Sequence, residues 1–451
     1  MKKVRKIYDP ILRQPAAPVT VFDEQLKKLS KEMLLVMHDN SGMGLAANQF
    51  GANIDLLVLE YRPIKDDPNA KPIGPMALSN ARVIKASQVT ETISEGCLSL
   101  PGLELAVTRS SGVTVIAQDL TGKPVTIKAK GLLARILQHE IDHLDGSLFT
   151  DRATGVKNLK NFAWAKIVFF GSDQFSLTIL ESLIGAGLNI TAVITETDKP
   201  SGRGQQIKVP KIKTIASQTG ITVVQPQTKT EIINVLDQLQ PDLVILASYG
   251  KILPEQALGI PLYGALNVHP SLLPKYRGAT PIQSTILAGD QVTGVTIMKM
   301  NAGVDTGEIV SQTTAPIAPD ETFLTLRDRL STVGVRLLLK TLPLYLSGQV
   351  KIQPQSGKAT ETRQLSKEMG EIDLLASPET IDRQIRALNP WPGTFTFLGD
   401  KRLKILSATI DGKKITLETV QLEGRNPTAW PEFVRGHAKQ LKNCSWYANI
   451  A

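Results

Sequence analysis

Two histidines and a glutamate in the stretch QHEIDHLDG (138–146) have the residue types and the spacing of a helical metal site, HExxH. Residues four apart lie on the same face of an α-helix, so His139 and His143 can bind one ion. Glu140 then lies beside the ion, where it can accept a proton from water and pass it to a leaving group. The alternative is a helix with two surface histidines, but the chain has only five histidines in all.

The stretch EGCLSLPG (95–102) offers a third metal ligand in Cys97, which lies just ahead of a Pro-Gly turn. The alternative is a buried free cysteine, which is the usual state of a lone one. A further stretch, GMGLAANQFG (42–51), has Gln49 at the end of a run of small residues. One thiolate and two imidazoles suit iron, zinc, cobalt or nickel, so the ligand types do not select the metal.

Together these three stretches resemble peptide deformylase, whose motifs GxGLAAxQ, EGCLS and QHExDHLxG occur in this order and at about these separations. The resemblance covers residues 1 to about 152. It implies hydrolysis of the N-terminal formyl group of nascent formyl-methionyl peptides, with Fe²⁺ as the usual metal and Zn²⁺, Ni²⁺ or Co²⁺ as substitutes. A general metallopeptidase is the alternative, which the cysteine and the EGCLS motif disfavour. The implied roles are metal ligand for Cys97, His139 and His143, general acid and base for Glu140, and oxyanion donor for the Gln49 amide and the Leu98 N–H.

A second group of polar residues follows an apolar strand pattern in the other half of the chain. The stretch GALNVHPSLLPKYRGATPIQ (264–283) has Asn267 and His269 at the carboxyl end of a predicted strand, where open α/β sheets place their ligands. Downstream, NAGVDTGE (301–308) offers Asp305, a carboxylate that could orient the imidazole. The alternative is a capping asparagine and a structural histidine.

The pieces FFGS, SYGKILP, NVHPSLLP and DTG resemble the formyltransferases that use 10-formyltetrahydrofolate as the formyl donor. The continuations RGATPIQ (277–283) and ALNPWPGTF (387–395) are similar to methionyl-tRNA formyltransferase, which implies initiator Met-tRNA as the acceptor. Sugar-nucleotide formyltransferases share some of these features, so an amino-sugar nucleotide is the alternative acceptor. The resemblance implies Asn267, His269 and Asp305 as the catalytic residues, and a folate site bordered by Ser271, Leu272, Leu273 and Pro274.

A basic stretch, DKPSGRGQQIKVPKIK (198–213), favours the RNA acceptor. Its glycines and prolines predict a flexible loop, and basic flexible segments suit a phosphate backbone. A solvated surface loop is the alternative. The tRNA formyltransferases carry a KPxGRG loop at this position that enters the acceptor stem. The implied tRNA contacts are Lys199, Arg203, Lys208, Lys211 and Lys213.

The length of 451 residues corresponds to about three domains, so we expect a multidomain chain whose elements position these residues. Strand patterns followed by a helix over 132–144 predict an α+β domain. Apolar strands over 165–172, 191–195, 242–248 and 265–269, separated by helical patterns such as 175–187, predict a parallel, doubly wound α/β sheet of the Rossmann-like kind. A hairpin pattern over 401–420 predicts a β-rich domain, which the resemblance makes an OB-like β-barrel. The expected division is a deformylase-like domain at 1–152, a linker at 153–164, a formyltransferase domain at 165–355 and a tRNA-contacting β-barrel at 356–451.

Composition bounds the function more loosely. A chain with 42% hydrophobic and 21% charged residues, and no apolar run of about 18 residues, predicts neither a membrane span nor a membrane partner. Two distant cysteines disfavour a disulfide framework and favour a reducing cytosol. The net charge of +9 permits a polyanionic partner such as RNA. We therefore expect a cytoplasmic enzyme of translation that acts near the ribosome and not on DNA. A non-enzymatic RNA- or ribosome-binding protein is the alternative, which the intact catalytic positions disfavour.

Overall fold

The computed structural model describes residues 4–7, 9–61, 72–201, 206–411, 414–447 and 450. The chain divides into two compact units. Unit 1 comprises Met1–Ala165 and Leu342–Val350, and unit 2 comprises Lys166–Thr341 and Lys351–Ala451. Among the helices within these described ranges, none has both the length and the apolar composition needed to cross a bilayer.

Unit 1 is built from helices and antiparallel strands. A helix over 132–144 was predicted from apolar spacing, and it is confirmed, since the observed helix covers Gly131–Leu144. The elements in chain order are α1 (Glu24–Asp39), β1 (Gly44–Ala46), α2 (Ala47–Phe50), β2 (Leu56–Tyr61), β3 (Ile73–Ala86), β4 (Thr90–Cys97), β5 (Leu100–Ser110), β6 (Gly112–Gln118), β7 (Pro124–Lys130) and α3 (Gly131–Leu144), with 3-10 helices at Pro10–Arg13, Phe149–Asp151 and Leu159–Phe162.

The main sheet of unit 1 has the order β1-β2-β3-β6-β7 with antiparallel neighbours, while β4 and β5 pair as a separate hairpin. Helix α3 buries Leu133, Leu137, Ile141 and Leu144 in the core against β2, β3 and β6. These residues recur at i, i+4, i+8 and i+11, which is one face of a helix. The histidines of the HExxH motif therefore lie on a different face.

A short segment from late in the sequence, Leu342–Val350, completes unit 1. Arg13 Nη2 donates to Gly348 O at 2.9 Å, and Gln349 Nε2 donates to Thr150 O. Gly348 has φ 71°, and a Cβ at this position would lie 2.6 Å from Ile7 Cδ1. Both the backbone conformation and the close approach favour glycine. Unit 1 thus combines stretches that are far apart along the chain.

Unit 2 begins with a fully buried strand and continues with alternating helices and strands. Its elements up to residue 346 are β8 (Ile167–Gly171), α4 (Gln174–Gly185), β9 (Ile190–Ile194), β10 (Lys199–Ser201), β11 (Gln206–Lys208), α5 (Lys211–Gln218), β12 (Thr222–Val224), α6 (Lys229–Leu239), β13 (Leu243–Ala247), α7 (Glu255–Leu258), β14 (Ala265–His269), β15 (Arg277–Gly278), α8 (Pro281–Ala288), β16 (Val292–Lys299), β17 (Glu308–Pro316) and α9 (Phe323–Leu346), whose last turn belongs to unit 1.

The central sheet of unit 2 has the order β12-β9-β8-β13-β14-β16-β17. The first five strands are parallel, and they include the four strands predicted from apolar runs, which are confirmed. Strands β16 and β17, which the sequence interpretation did not assign to the sheet, extend it antiparallel to β14 and to each other, so the sheet is mixed and not parallel throughout. A short connection after β16 turns the chain directly back, as antiparallel pairs allow and parallel pairs do not.

The basic stretch 198–213 differs from the predicted flexible loop. Lys199–Ser201 pairs with Gln206–Lys208 as the antiparallel strands β10 and β11, and the helix α5 begins at Lys211. The short strand Gln206–Lys208 has a polar-apolar alternation, and Pro210 at the helix N-cap limits the backbone there. Arg203, one of the predicted tRNA contacts, lies outside the described residues.

The remainder of unit 2 is a small antiparallel sheet with two helices. The predicted hairpin over 401–420 is confirmed, with Asp411 opposite Lys414. Its strands and helices share one apolar core, in which Ile385 packs with Leu403 and Trp430. The elements are β18 (Glu361–Thr362), a 3-10 helix (Glu368–Gly370), α10 (Pro378–Leu388), β19 (Thr394–Leu398), β20 (Lys401–Asp411), β21 (Lys414–Leu422), β22 (Thr428–Ala429) and α11 (Trp430–Leu441), and the sheet order is β19-β20-β21-β22.

Candidate active sites

The three predicted metal ligands lie together in unit 1. One ligand atom from each of Cys97, His139 and His143 lies within 4.8 Å of the others, and Cys97 Sγ is 3.2 Å from His143 Nε2. Helix α3 presents the two histidines on one face, and Cys97 is the last residue of β4. A thiolate and two imidazoles at these separations fit one divalent transition-metal ion.

The charges around this cluster favour the metal-binding form of the cysteine. Burial opposes ionisation of Cys97, but His143 and His139 outweigh it and hold the pKa of the thiol well below its usual range. Burial likewise would lower the pKa of His139, but hydrogen bonds to Cys97 and Glu95 raise it to about 10. The pocket therefore stabilises the thiolate, which is the form of cysteine that binds metals.

Glu95 contacts the imidazole ring of His139 at Nδ1. Its Oε2 lies 3.0 Å from His139 Nδ1, while Arg109 Nε and Arg135 Nη1 donate to its Oε1 at 2.7 and 2.6 Å. Burial opposes its ionisation, but the contacts with His139 and Arg109 lower the pKa of Glu95 to about 2. A carboxylate on Nδ1 fixes the tautomer in which Nε2 binds the ion. The sequence interpretation did not select Glu95, although this residue opens the EGCLS motif.

The same buried network ties the β4–β5 hairpin to α3. Arg109, on β5, donates from Nη1 to Asp142 Oδ2 at 2.7 Å, and Asp142 lies on α3 between the two histidines. Arg152 donates twice more to Asp142, both times at 2.7 Å. Because these ion pairs link the strand of Cys97 with the helix of the histidines, they fix the ligands relative to one another.

Glu140, the predicted acid and base, is buried beside the cluster. Burial raises the pKa of its carboxyl group, while His139 and His143 oppose the rise. Its Oε2 has no hydrogen-bond partner among the residues that the structure describes. A buried carboxylate oxygen requires a donor, which points to a place for water or substrate at this atom. A Cβ at Gly44 would overlap Glu140 Oε1, so the glycine before LAANQ leaves the room that this side chain needs.

The two predicted oxyanion donors belong to segments that border the cluster. Gln49 Nε2 lies 3.4 Å from Cys97 Sγ, and Gln49 Oε1 accepts from Ala46 N at 2.9 Å, which directs the NH₂ group towards the ligands. Leu98 follows Cys97 directly. Its carbonyl oxygen accepts from Lys6 Nζ at 2.7 Å.

The N-terminal segment thus contacts both oxyanion-donor segments. Beside the Lys6 bond, Arg5 N donates to Gln49 O at 2.7 Å and Ile7 N donates to Ser99 O at 3.1 Å. Sequence reasoning missed Lys6, because the partner of its side chain is a backbone atom 92 residues away.

In unit 2, the predicted catalytic residues Asn267, His269 and Asp305 also lie together. Asn267 and His269 are buried at the end of β14, and Asp305 lies in the connection between β16 and β17. Asn267 Nδ2 donates to Asp305 Oδ1 at 3.1 Å, and His269 Nδ1 is 3.6 Å from Asp305 Oδ2. His269 Nε2 lies 3.0 Å from Tyr276 O. Both imidazole nitrogens therefore face oxygen acceptors, and both can donate only when the ring is protonated.

The predicted folate border, Ser271 to Pro274, follows this strand directly. Ser271 is buried and its hydroxyl donates to Lys275 O at 2.6 Å, while Leu273 N donates to Thr296 Oγ1 at 3.2 Å. These groups are engaged within the protein, so Ser271 and Leu273 hold the loop in place. Leu272 and Pro274 are half-buried.

The predicted tRNA contacts are only partly brought together. Lys213 Nζ donates to Asp198 Oδ2 and to Gln225 Oε1, each at 2.8 Å, so its charge is paired inside the protein. Lys211 is exposed at the start of α5. For Lys199 and Lys208 the structure describes the backbone pairing of β10 with β11.

A cavity of about 720 Å³ lies elsewhere in unit 2, between α10, β20 and the segment before α9. Leu406 and Ile410 line it together with Arg386, whose guanidinium is already bound to Asp382 and Glu321 O. None of the predicted site residues lines this cavity. The cavity is therefore separate from the cluster of Asn267, His269 and Asp305 at the end of β14.

Comparison with known proteins separates the chain into the same two parts. The profile of the polypeptide deformylase family matches residues 1–159, that of formyl transferase matches residues 165–342, and that of the formyl transferase C-terminal domain matches residues 364–416. The chain carries a peptide deformylase domain followed by formyltransferase domains.

The methionyl-tRNA formyltransferase of Dehalococcoides mccartyi is 39% identical over 297 residues, which are 60% of this chain and 95% of that protein. The methionyl-tRNA formyltransferase of Marinobacter nauticus is 44% identical over 247 residues, 54% of this chain and 79% of that protein. From its formyltransferase part, the chain belongs to the methionyl-tRNA formyltransferase family.

Solved structures similar to this chain include two peptide deformylases. That of Thermotoga maritima is 38% identical, covers 34% of this chain and 98% of its own, and has a TM-score of 0.31. That of Plasmodium falciparum is 34% identical, covers 35% of this chain and 91% of its own, and has a TM-score of 0.32.

Proposed function

We propose that the chain catalyses two reactions of translation. Unit 1 removes the formyl group from nascent formyl-methionyl peptides, and unit 2 transfers a formyl group from 10-formyltetrahydrofolate to the methionyl amine of initiator Met-tRNA. The observation that carries the proposal is that each family's catalytic residue types are present and clustered, one cluster in each unit. The family matches favour neither a general metallopeptidase nor a non-enzymatic RNA-binding protein.

In the deformylase reaction, Cys97, His139 and His143 would hold a divalent ion, proposed to be Fe²⁺, which would supply Lewis acidity towards water and the formyl carbonyl. Glu140 takes the proton of the attacking water and later passes it to the departing amine. Gln49 Nε2 and Leu98 N donate to the formyl oxygen as negative charge develops on it. The products are formate and a peptide with a free amino terminus.

In the transfer reaction, the methionyl amine attacks the formyl carbon of the folate. Asn267 Nδ2 donates to the oxyanion with the N–H that Asp305 does not accept, and the protonated His269 stabilises the oxyanion through its positive charge, because both of its ring nitrogens face oxygen acceptors of the protein. Asp305 holds His269 and receives the proton that the amine loses, directly or through water. Collapse of the intermediate breaks the bond between the formyl carbon and the folate nitrogen, which takes up the proton held by Asp305, so that tetrahydrofolate leaves and the formyl group stays on the amine.

The finer assignments belong to the same proposal. The strand order of the central sheet supports a Rossmann-like formyltransferase domain at 165–355, following a deformylase domain at 1–152 and a linker at 153–164. A tRNA-contacting β-barrel is proposed for 356–451, and tRNA binding for the basic stretch, with Lys213 in a supporting role. The enzyme is proposed to be cytoplasmic and to meet nascent chains near the ribosome.

The two activities oppose each other only if unit 1 accepts formyl-methionyl-tRNA. Extended peptides bind by adding their backbone to that of the enzyme, as a strand adds to a sheet. A nascent peptide offers such a backbone beyond the first residue, whereas the formylated tRNA offers only an ester. We therefore propose that unit 1 acts slowly on formyl-methionyl-tRNA.

Transfer of labelled formyl from 10-formyltetrahydrofolate tests the acceptor, with methionyl initiator tRNA and an amino-sugar nucleotide offered in parallel to the full chain. The expected result is label on the tRNA, and its loss in Asn267→Ala. Label on the sugar nucleotide alone would overturn the translation assignment of unit 2. Formate release from a formyl-methionyl peptide, measured with and without a chelator, tests unit 1 in the same preparation.

A further inference from the structure

We propose that Gln355 is a positioning residue of the formyl-transfer site, which holds the loop of Asp305 and the loop of Arg277 in register. This inference rests on the proposed transfer function of unit 2. Gln355 is half-buried in the segment before β18, and its side chain reaches the two loops that border the catalytic residues.

The carboxamide of Gln355 uses its full hydrogen-bonding capacity. Its Nε2 donates to Asp305 O at 2.8 Å and to Gly307 O at 2.7 Å. Its Oε1 accepts from Arg277 Nε at 3.1 Å and from Arg277 Nη2 at 2.7 Å. A primary amide has two N–H donors and two oxygen lone pairs, so all four are satisfied. The four bonds fix the positions of the bonded atoms in both loops, which a side chain that only filled space would not do.

Asp305 needs this support because its backbone is in an uncommon conformation. Its φ is 48°, in the left-handed region that non-glycine residues rarely adopt, although aspartate is among those that tolerate it. The carboxylate is held in front by Gly278 N, which donates to Oδ2 at 2.8 Å, and by Asn267. Gln355 Nε2 binds the backbone carbonyl oxygen of Asp305. The side chain and the backbone of Asp305 are therefore fixed by separate partners.

Arg277 connects these two sets of contacts. Arg277 directly precedes Gly278, whose N–H donates to the Asp305 carboxylate. The side chain of Arg277 donates to Gln355 Oε1. Loss of Gln355 thus removes the bonds to Asp305 O and at the same time frees the arginine that flanks Gly278. Both changes act on the distance between Asp305 and His269, which is already 3.6 Å.

Gln353 provides a matched control. It is the same residue type two positions earlier, its side chain is exposed, and its backbone pairs with Ile309 in both directions at 2.7 and 3.0 Å. Because this backbone pairing survives a change of side chain, substitution of Gln353 measures the general effect of altering the segment. A positioning residue of the site would show an effect at Gln355 alone.

The experiment compares Gln355→Glu and Gln355→Leu with Gln353→Glu and Gln353→Leu in the full chain. Gln355→Glu keeps the acceptors for Arg277 but removes both donors to the carbonyl oxygens. We expect kcat for formyl transfer to fall about 30-fold in both Gln355 variants, with KM within about 3-fold, since displacement of a catalytic group by about 1 Å costs up to about 100-fold. The Gln353 variants and the deformylase activity of every variant should stay within about 2-fold of the parent.

Unchanged kcat in Gln355→Leu, a change confined to KM, or an equal loss in the Gln353 variants would overturn the proposal. If the parent enzyme itself transferred no formyl group to tRNA, the proposed function would fail, and crystal structures would then decide the role of Gln355. Displacement of the Asp305 carboxylate from Gly278 N in Gln355→Leu supports positioning, while an unmoved carboxylate at left-handed φ refutes it.

Discussion

The two proposed catalytic clusters of this chain are held in place by different forces. Around the metal ligands, buried side chains of opposite charge contact each other, as Glu95 and Asp142 do with Arg109. Around Asp305, the hydrogen bonds come from neutral groups, which include the backbone N–H of Gly278 and the carboxamide of Gln355, and His269 is the one partner that can carry charge among the contacts described above. Unit 1 therefore depends on charge balance in a buried pocket, and unit 2 on the conformation of the loops that follow β14 and β16.

Replacement of Glu140 by glutamine should give the largest effect and should confine it to unit 1. The side chain keeps its size but can no longer accept the proton of water, so deformylation should fall by about 1,000-fold, within the range for general acid–base catalysis. Formate release from a formyl-methionyl peptide measures the loss. Metal content should be unchanged, because Cys97, His139 and His143 remain. Residual deformylation above a tenth of the parent rate would contradict the role of Glu140.

Asn267→Ala is the corresponding change in unit 2. Removal of one oxyanion donor should lower kcat for formyl transfer by about 100- to 1,000-fold. Deformylation by the same preparation provides the control for protein quality and should not change. A loss of both activities would show that the two clusters are not independent, which would break the comparison drawn between them.

Much of both clusters is predictable from sequence, because their residues sit in motifs whose spacing reflects a local element. His139 and His143 share a helical face, and Asn267 and His269 end a strand, so a periodicity in sequence becomes a position in space. The supporting residues follow no such rule. Glu95 reaches Arg135 across 40 residues, and Gln355 reaches Asp305 across 50. Only the tertiary fold brings such pairs together.

The same limit applies to the fold. Long apolar runs and amphipathic periods predicted the helix over 132–144 and the parallel strands of unit 2. The short strands β10 and β11 lie in a stretch rich in glycine, proline and lysine, where periodicity is too brief to detect. The inclusion of Leu342–Val350 in unit 1 depends on tertiary contacts such as Arg13 with Gly348, which no local pattern encodes.

Glu95→Gln tests whether charge balance holds the metal ligands. The glutamine keeps the shape of the side chain but removes the carboxylate that Arg109 and Arg135 share, leaving Arg109, among the residues that the structure describes, paired only with Asp142, and it weakens the orientation of His139. Loss of such a supporting contact lowers metal affinity by about 10- to 100-fold. Metal content after dialysis against a graded chelator series measures the affinity. Excess metal should restore deformylation in part, which a wholly unfolded pocket would not permit.

The matched conservative change is Glu95→Asp, which keeps the charge but shortens the side chain. If charge balance dominates, this variant should retain more metal than Glu95→Gln at the same chelator concentration. Higher metal retention in Glu95→Gln than in Glu95→Asp would show that the reach of the side chain to His139 Nδ1 matters more than its charge. Geometry would then dominate in both units, and the contrast between them would fail.

Lys6→Met should give the smallest effect, because it removes one support of an oxyanion donor and not the donor itself. Leu98 O would lose the hydrogen bond from Lys6 Nζ, which is 2.7 Å long in a partly buried setting. A hydrogen bond of about 1 kcal/mol corresponds to roughly a five-fold change in rate if all of its free energy stabilises the catalytic position of the donor. The measurement is kcat for deformylation at saturating peptide, with metal content confirmed as unchanged.

Lys6→Arg should recover much of the loss because it restores a cationic donor. Lys27→Met, which removes a lysine from an exposed ion pair with Glu24, should have no effect. Equal rates in Lys6→Met and the parent would mean that the backbone bond from Ile7 N to Ser99 O suffices to fix the Leu98 segment, so that unit 1, too, relies on backbone contacts at its oxyanion site.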